Sequence, residues 1–517
     1  MKKHAFLVGL GIFFSRIAGL VRERVFAHYF GNSDAGDAFK AALKIPNFLQ
    51  NLFGEGVLSA SFIPVYAQLL ARKHDEDAAK VASVIGSLLF VMTSVLVLIG
   101  VFATPFLIDV IAPGFHGEKR ELTIKIVQIL FPGTGFLVMS AWCLGILNSH
   151  KKFFLSYVAP VIWNIAIIVS IIGWSQQDQF NLAITASYGL VAGSFLQFFV
   201  QFPFALKLGR KIRPSLSLQL QSVRTVVKNF IPVVFSRGVV QVSAYIDNML
   251  ASLLPTGAVS ALAYAQTLYL LPVSLFGMSI SVAELPAMSQ ATGTEEEIRS
   301  YLQKRLNGGL SQIAFFIVPS VVAFLVLGDL IVGAIFQTGV FDRDSTNYVW
   351  AVLAGSTVGL LASTLGRLYS STFYSLKDTR TPLKFAFVRV FFTTILGVLC
   401  AFYLPGWLGV DPKWGTTGLT ASAGLAGWIE FYMLRHTLNK KIGETGLSLS
   451  FQMKLWGVAL ASSAVAFGVK FMLNDFGHVI LRAVIVLGIY GVLYFGLGYV
   501  FKIDQAASLV EKIKRRL

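Results

Sequence analysis

The sequence predicts an all-α polytopic membrane protein with fourteen transmembrane helices, arranged as two parallel six-helix lobes around a central cavity plus two C-terminal helices. Composition points to the membrane, because 55% of the 517 residues are hydrophobic and only 13% are charged, unlike a soluble domain. Fourteen stretches reach the roughly 20 apolar residues that a helix needs to cross a bilayer. An internal repeat between the two halves of the chain predicts the two lobes.

The predicted spans follow one another along the whole chain with short connections. The first contains charged residues and lacks the pattern of a cleavable leader, so we expect a retained helix rather than a signal peptide. The longest hydrophilic connection, 207–228, is too short for a soluble domain. In order, the spans are 5–30, 36–67, 79–111, 122–148, 154–174, 182–206, 229–254, 258–290, 308–335, 345–375, 382–404, 415–435, 454–473 and 477–501.

Lysine and arginine are distributed unevenly between alternate connections. With the N-terminus in the cytoplasm, 27 of them fall on the cytoplasmic side, 4 on the opposite side and 12 inside spans. By the positive-inside rule, both termini are predicted to face the cytoplasm. The net charge of +17 therefore belongs to short loops that face anionic headgroups, so the sequence predicts membrane lipids and no nucleic acid as partners.

Short motifs recur between the two halves. Phe14-Ser15-Arg16 returns 221 residues later as Phe235-Ser236-Arg237, and each copy opens a long span. An even number of crossings separates the copies, so the repeats are parallel, as in transporters that work by alternating access. The second span of each half carries expected hinges, although relief of packing is the alternative. These are Pro46, Gly54 and Pro64 in the first half and Pro272, Gly277 and Pro286 in the second.

The repeat and the loops divide the chain into five segments. For the two basic segments, an amphipathic helix on the membrane surface and a solvated segment are equal alternatives. The segments are the N-lobe with helices 1–6 (1–206), a cytoplasmic amphipathic linker (207–228), the C-lobe with helices 7–12 (229–435), helices 13 and 14 (436–501) and a basic cytoplasmic tail (502–517).

Fixed charge inside the first two spans is the strongest functional signal. Arg16 and Arg22 lie in the first span, where each charge costs roughly 2.5–3.5 kcal/mol on insertion scales, so we expect an anionic ligand in a water-lined cavity. Arginine suits phosphate because its planar fork binds oxygen atoms in pairs. Asp37, Lys40 and Lys44 fall along one helix face, and Asp37 can hold one of the cations in position in the absence of substrate. The alternative for each charge is a buried ion pair or a snorkelling side chain.

Several motifs together carry a resemblance to a known family. They are Phe14 to Glu23, Asp37-Ala38-Phe39, Lys44-Ile45-Pro46-Asn47, Phe53 to Gly56, Ala112 to Phe115, and Phe373-Tyr374-Ser375 with Asp378. These motifs resemble those of the MurJ (MviN) family of lipid II flippases, in the multidrug/oligosaccharidyl-lipid/polysaccharide exporter superfamily. The likeness covers essentially the whole chain, including the two additional C-terminal helices.

The resemblance implies a flippase that moves undecaprenyl-pyrophosphate-linked peptidoglycan precursor to the outer leaflet of the bacterial cytoplasmic (inner) membrane. It also implies a groove for the lipid tail on helices 13 and 14, and peptidoglycan synthesis enzymes are candidate partners. Two alternatives stay open: an exporter of another lipid-linked oligosaccharide or of a drug, and a non-transporting scaffold for cell-wall enzymes. The candidate substrate-binding residues are Arg16, Arg22, Asp37, Lys44, Asn47, Glu55 and Arg237.

The chain departs from the family pattern at two places where arginine is common. It has Gln50-Asn51 in the second span and Gln266-Thr267 in the eighth, so two expected cations are missing. Arg237 in the seventh span and Arg367 in the tenth are hypothesised to replace that charge.

Energy coupling is predicted less sharply. Asp247 matches a carboxylate that some family members use in a sodium site, which makes it the candidate metal-binding residue. The eleventh span offers Thr393 and Thr394 without the further carboxylate and amide that would complete an oxygen cage. A monovalent cation, a proton and the membrane potential are the candidate sources of energy, and an ion-paired structural Asp247 is an alternative. With no phosphate-binding loop or metal-ligand spacing, we expect no cofactor and no enzymatic activity.

Overall fold

The structure, a computed structural model, describes the backbone of residues 2–209, 212–473 and 477–514. Within helices, the side chains of residues 2–10, 12, 55, 233, 235–244, 509–510 and 512–514 lie outside the description. The helices are α1 (Lys2–Phe30), α2 (Asp34–Ala42), α3 (Lys44–Phe53), α4 (Glu55–Ala71), α5 (Asp75–Ile111), α6 (Gly117–Ser149), α7 (Phe153–Gly173), α8 (Gln179–Gly209), α9 (Gln221–Ser252), α10 (Ala258–Pro272), α11 (Ser279–Ser289), α12 (Glu295–Val326), α13 (Gly328–Phe336), α14 (Arg343–Thr357), α15 (Leu360–Ser375), α16 (Arg380–Val398), α17 (Leu404–Leu408), α18 (Gly415–Ile442), α19 (Leu449–Met472), α20 (Val479–Val500) and α21 (Asp504–Lys514).

Helices lie over every predicted span, which confirms the all-α polytopic fold class. Nine helical segments in the described part of the chain are long and apolar enough to cross a membrane. Helices α14 and α15, bent by 41° at their junction, make a tenth if they count as one span. The number fourteen therefore stays a prediction, because this criterion was met by no more than ten segments of the described residues.

The second predicted span is broken into α2, α3 and α4. Leu43 separates the first two of these helices, and Gly54 separates the last two. A Cβ atom on Gly54 would lie 2.3 Å from the carbonyl oxygen of Gln50, so this break requires glycine. Pro46 lies in the first turn of α3, where a missing N–H is tolerated, whereas α4 continues through Pro64. The predicted interruption is thus located mainly at Gly54.

The chain divides into two compact units, and unit 1 comprises residues 1–260 with 338–341. Its apolar core lies between α4, α5, α6 and α9, around Phe62, Tyr66 and Trp142. The Trp142 indole donates a hydrogen bond to the Ala82 carbonyl at 3.1 Å. Helix α5 approaches this ring closely because Gly86 faces it without a side chain. Helix α1 packs along α7, which places the charged residues of α1 within this unit.

Residues 338–341 of unit 1 form a short strap on the end of α1. The Val340 N–H donates to the His28 carbonyl at 3.0 Å, and the Thr338 hydroxyl lies 2.8 Å from Nδ1 of His28. Thr338 and Phe341 pair with each other as an isolated β-bridge. Gly339, with φ of 54°, passes so close to His28 that a Cβ atom would lie 2.3 Å from its carbonyl oxygen.

Unit 2 comprises residues 261–337 and 342–517. In this unit α19 and α20 pack on α12 and α13, with Leu327, Ala466 and Val486 among the buried contacts. Lys470 of α19 and Asp329 of α13 form an ion pair at 2.7 Å. The two additional helices of the prediction are therefore attached to their own unit by both apolar and charged contacts.

Two prolines inside helices leave carbonyl groups that side chains of neighbouring helices satisfy. Pro105 removes the N–H that would bond to the Val101 carbonyl, and the Gln128 amide donates there at 3.3 Å. Pro319 does the same to the Phe315 carbonyl, which accepts from the Tyr494 hydroxyl at 2.6 Å. Such substitution is needed in hydrocarbon, where no water is available.

Candidate functional site

The two arginines that the sequence singled out on α1 differ in their surroundings. Arg16 is exposed and has no ion-pair partner among the described residues. Arg22 is half-buried and lies six residues later, about 9 Å further along the helix axis. The two guanidinium groups are thus carried at different depths by one helix.

Glu23, the residue after Arg22, joins two cations. Its Oε1 atom accepts a hydrogen bond from Nη2 of Arg22 at 2.7 Å, and its Oε2 atom accepts one from Nζ of Lys40 on α2. Glu23 and Lys40 are both buried. We call Arg22, Glu23 and Lys40 the charged triad. Two cations and one carboxylate give it a net positive charge, and a buried carboxylate of this kind requires its partners.

Aromatic rings hold the two cations of the charged triad. The Arg22 guanidinium lies 4.9 Å from the centre of the Trp163 ring of α7. The Lys40 ammonium lies 4.2 Å from the centre of the Phe26 ring. Cation–π attraction is strongest where water is excluded, so these rings hold the two cations in place in addition to the Glu23 carboxylate. Arg22, the more accessible of the two, is the cation of the triad that can still meet a ligand.

Asp37 is buried and fully engaged within unit 1. Oδ2 accepts hydrogen bonds from Lys119 of α6 and from the Gly257 N–H, both at 2.8 Å. Oδ1 accepts from the Ser260 N–H, also at 2.8 Å. The cation bonded to Asp37 is Lys119, whereas the spacing on α2 predicted a lysine of the same span. Asp37 thus connects α2 to the Lys119 side chain of α6 and to backbone N–H groups at the start of α10.

Lys44 begins α3 and is linked to α9. Its backbone carbonyl accepts a hydrogen bond from the Tyr245 hydroxyl. Asp247 on α9 is the carboxylate whose charge acts on the Lys44 ammonium. Among the described residues, no group of three or more His, Cys, Asp or Glu side chains could hold a metal ion. In the described part of the chain, Asp247 is therefore an electrostatic partner of Lys44 and not part of a metal-binding group.

The remaining candidate residues are placed less completely. Asn47 is exposed on the first turn of α3. The side chains of Glu55 and Arg237 lie outside the described residues, although the helical backbone passes through both positions. Arg367 is exposed on α15 of unit 2. The hypothesis that Arg237 and Arg367 replace missing charge stays a prediction.

Sequence reasoning missed Glu23 and Lys119 as parts of this site. Glu23 is the only acidic residue of α1, which is the signal that could have identified it as a partner for buried cations. Lys119 lies 82 residues from Asp37 in the chain, and no local pattern connects them. The described arrangement offers an anion the guanidinium groups of Arg16 and Arg22, with Glu23 as an internal competitor.

A sequence profile of the family described as lipid II flippase MurJ matches residues 26–487. The probable lipid II flippase MurJ of Buchnera aphidicola subsp. Schizaphis graminum (strain Sg) is 28% identical over 500 residues, covering 94% of this chain and 94% of that protein.

Solved structures extend the similarity to the fold. A lipid II flippase MurJ in an inward closed conformation matches with a TM-score of 0.78 and 26% identity, over 97% of this chain and 99% of that chain. An inward-facing multidrug resistance MATE family transporter of the MOP superfamily matches with a TM-score of 0.63 and 15% identity, over 81% and 95%. At that identity the second likeness concerns the fold alone.

Proposed function

Because this chain belongs to the family of the lipid II flippase MurJ, we propose that it moves lipid II from the inner to the outer leaflet of the bacterial cytoplasmic membrane by alternating access. The chain is a transporter and not an enzyme. Lipid II carries a sugar headgroup and a polyprenyl tail joined by a diphosphate, so the diphosphate is the part that needs protein charge inside the membrane.

The observation that carries the proposal for the site is fixed positive charge on α1. Arg16 is exposed without an ion-pair partner in the described part of the chain, and Arg22 is half-buried beside Glu23. Diphosphate oxygens fit the planar guanidinium fork, and the attraction is strong where the dielectric constant is low. Arg16 and Arg22 are therefore the residues of the described site that would hold the diphosphate.

Glu23 gives the site a defined state without substrate. Its carboxylate neutralises part of the charge of Arg22 and Lys40 and thereby prevents two bare cations from facing each other. A diphosphate carries more negative charge than one carboxylate, so it competes for Arg22, while the buried Lys40 keeps Glu23 in place. When the substrate binds, its diphosphate replaces Glu23 as the partner of Arg22. The reverse exchange allows the substrate to be released on the opposite side.

The orientation and the energy source belong to the same proposal. Both termini face the cytoplasm, as the asymmetry of lysine and arginine indicates. Asp247 and Lys44, whose charges act on each other, are the candidate groups through which a monovalent cation, a proton or the membrane potential would act on transport. Peptidoglycan synthesis enzymes, which use the translocated precursor, are the proposed protein partners.

The test is lipid II translocation by the purified protein in vesicles. We expect Arg16→Gln and Arg22→Gln each to lower the initial rate about tenfold or more, since each removes a charge-assisted contact to the diphosphate. Lys125→Gln is the matched control, because Lys125 is an exposed cation on α6 of the same unit. Its rate should stay within about twofold of the unchanged protein.

Two outcomes would contradict this assignment of the site. One is transport at the normal rate by the double variant Arg16→Gln/Arg22→Gln. The other is an equal loss in the Lys125→Gln control, which would show that the overall charge of the unit matters and not these positions. Translocation of a different lipid-linked oligosaccharide in preference to lipid II would overturn the substrate itself.

A further inference from the structure

Four helix ends share one backbone feature. Among the described residues, every residue other than glycine with a positive φ is a lysine. We call these four residues the turn lysines. They are Lys73 (φ 61°), Lys151 (φ 59°), Lys377 (φ 60°) and Lys502 (φ 54°), which follow α4, α6, α15 and α20 respectively.

Each turn lysine closes its helix in the same way. After α4, the Lys73 N–H donates to the Leu70 carbonyl at 3.0 Å. The next N–H, that of His74, reaches back to the Leu69 carbonyl at 3.0 Å. This pair of bonds is the Schellman motif, and the other three helices end with the equivalent pair. Glycine is the preferred residue at this left-handed position because a Cβ atom is unfavourable there.

Glycine does occupy the left-handed positions of the turns predicted to face outward. If the chain crosses the membrane as the lysine and arginine distribution predicts, all four turn lysines lie in cytoplasmic turns. The described outward turns have positive φ only at glycines, which are Gly31, Gly117, Gly257, Gly339, Gly409 and Gly477. Cytoplasmic turns also contain glycines with positive φ, but at larger angles: Gly293 (126°), Gly443 (90°) and Gly446 (131°). For φ between 52° and 66°, the described residue is a glycine in the outward turns and a lysine in the cytoplasmic turns.

The helix dipole does not account for this difference. A cation is attracted to the C-terminal end of any helix, whichever side of the membrane it reaches. Gly31 follows the C-terminal end of α1 and Gly409 follows that of α17, yet neither position is a lysine. The presence of lysine at the four cytoplasmic helix ends therefore has a cause that exists on only one side of the membrane.

The turn lysines are available to a ligand. All four are exposed, and none has an ion-pair or hydrogen-bond partner for its ammonium group in the described ranges. Two belong to unit 1 and two to unit 2. A residue held in a closed Schellman turn has a fixed backbone at the end of a membrane helix, which is the depth of lipid headgroups.

We propose that the turn lysines bind the phosphate headgroups of anionic lipids in the cytoplasmic leaflet. Charge complementarity identifies the occupant, because the cytoplasmic surface carries anionic lipids that attract lysine and arginine near a span. The proposal explains why a backbone position that favours glycine carries an unpaired cation at four separate helix ends. It depends on the orientation of the chain and not on lipid II transport.

The experiment measures thermal unfolding of the purified full-length protein in neutral detergent, with and without added phosphatidylglycerol. Phosphatidylethanolamine, which has no net charge, is the lipid control. One variant changes all four turn lysines to glycine, and a second changes all four to arginine. The matched control removes four exposed charges from other positions near the same membrane surface: Arg72→Gln, Lys152→Gln, Arg380→Gln and Lys454→Gln.

We expect the glycine variant to unfold at the same or a higher temperature in detergent alone, because glycine suits the turn. Its gain in unfolding temperature from phosphatidylglycerol should fall by about half or more, whereas the arginine variant and the matched control keep theirs. A lower unfolding temperature of the glycine variant in detergent alone would overturn the proposal, because it would show that the lysines stabilise the helix ends without lipid. An unchanged lipid effect, or an equal loss in the matched control, would also overturn the proposal.

Discussion

The ammonium group of Lys119 serves two carboxylates with very different access to water. It lies 2.8 Å from Oδ1 of Asp34 and 2.8 Å from Oδ2 of Asp37. The Asp34 side chain is 45% exposed, whereas that of Asp37 is 1% exposed. Water screens the first pair and not the second, so two contacts of equal length should differ in their effect on stability.

Asp37→Asn should lower the free energy of unfolding by about 3–5 kcal/mol, because it leaves the Lys119 cation without its buried partner. The measurement is thermal or denaturant unfolding of the purified protein in detergent. Asp34→Asn is the matched control, which we expect to cost less than about 1 kcal/mol. Equal losses in the two variants would mean that burial does not govern the strength of these pairs.

A second carboxylate, Asp378, lies in the turn between α15 and α16 and has its pKa set by its partners. The Lys441 ammonium donates to it at 2.6 Å, and the Thr381 N–H and hydroxyl donate at 3.0 and 2.8 Å. The hydrogen bond from Lys441 is the main cause that holds the pKa of Asp378 at about 2. This carboxylate fixes the α15–α16 turn to the last turn of α18.

The stability that Asp378 contributes should depend on pH. A carboxylate with a pKa below its value in the unfolded chain stabilises the fold above about pH 4 and loses that effect as the pH falls toward about 2. The difference in unfolding temperature between the unchanged protein and Asp378→Asn should therefore be full at pH 6 and shrink steadily below pH 4. Lys441→Gln should weaken the same dependence. A constant difference from pH 6 to pH 2.5 would contradict this account.

At this scale the sequence predicted the residue types of the site better than their partners. Arg16 and Arg22 were identified by charge inside an apolar stretch, which is a local signal. The bond from Lys119 to Asp37 joins residues 82 positions apart, and spacing along one helix carries no information about such a contact. Tertiary packing decided this pairing, so the lysine that the structure shows bonded to Asp37 comes from α6.

At the scale of elements, two tyrosine hydroxyls of α20 donate hydrogen bonds to α12, and they should contribute unequally to stability. Tyr494 donates to the Phe315 carbonyl, which has lost its helical partner to Pro319. Tyr490 donates to the Pro319 carbonyl at 2.9 Å, which the N–H of Ala323 can still serve within the helix. Only the first hydroxyl satisfies a carbonyl that would otherwise be left alone.

Tyr494→Phe should therefore lower the free energy of unfolding by about 1–3 kcal/mol, the usual cost of a buried unsatisfied polar group. Tyr490→Phe removes the same atom from the same pair of helices, and we expect a loss of about 0.5–1.5 kcal/mol. Both values come from unfolding of the purified protein under identical conditions. If Tyr490→Phe proves the more costly change, the carbonyl exposed by Pro319 is not what Tyr494 serves.

Helix positions were largely predictable from hydropathy, but helix breaks were not. Proline and glycine marked the second span as interrupted, and the structure ends α3 at Gly54 while α4 continues through Pro64. A membrane helix tolerates an internal proline more readily where another donor satisfies the freed carbonyl. Whether a donor exists depends on the neighbouring helix, as at Val101 and Gln128, and that neighbour is not identified by the local sequence.

At the scale of the whole molecule, the orientation in the membrane can be tested by cysteine labelling. The two native cysteines, Cys143 and Cys400, lie in apolar helical segments and can be replaced by alanine. Asp411→Cys, in an exposed turn after α17, should react with a membrane-impermeant thiol reagent in intact cells. Glu444→Cys, in the exposed turn after α18, should react only after permeabilisation.

The reverse labelling pattern would place both termini outside the cytoplasm and would contradict the orientation that we propose.

Composition and motif likeness were sufficient to predict the fold class and the family, since both depend on features spread over the entire chain. The number of crossings is harder to predict, because a span that is bent or interrupted, such as α14 with α15, satisfies a rule of length and hydropathy only when its parts are taken together.

The strap of residues 338–341 has a consequence for chimeras. These four residues hold the end of α1, so the polypeptide passes between the units at 260/261, 337/338 and 341/342 rather than once. A hybrid that takes residues 1–260 from this chain and the remainder from a relative would close its first helix with a foreign tetrapeptide. Transplanting the native tetrapeptide together with the N-terminal half should restore the fit. The segment that must be exchanged as one piece is therefore discontinuous in the sequence.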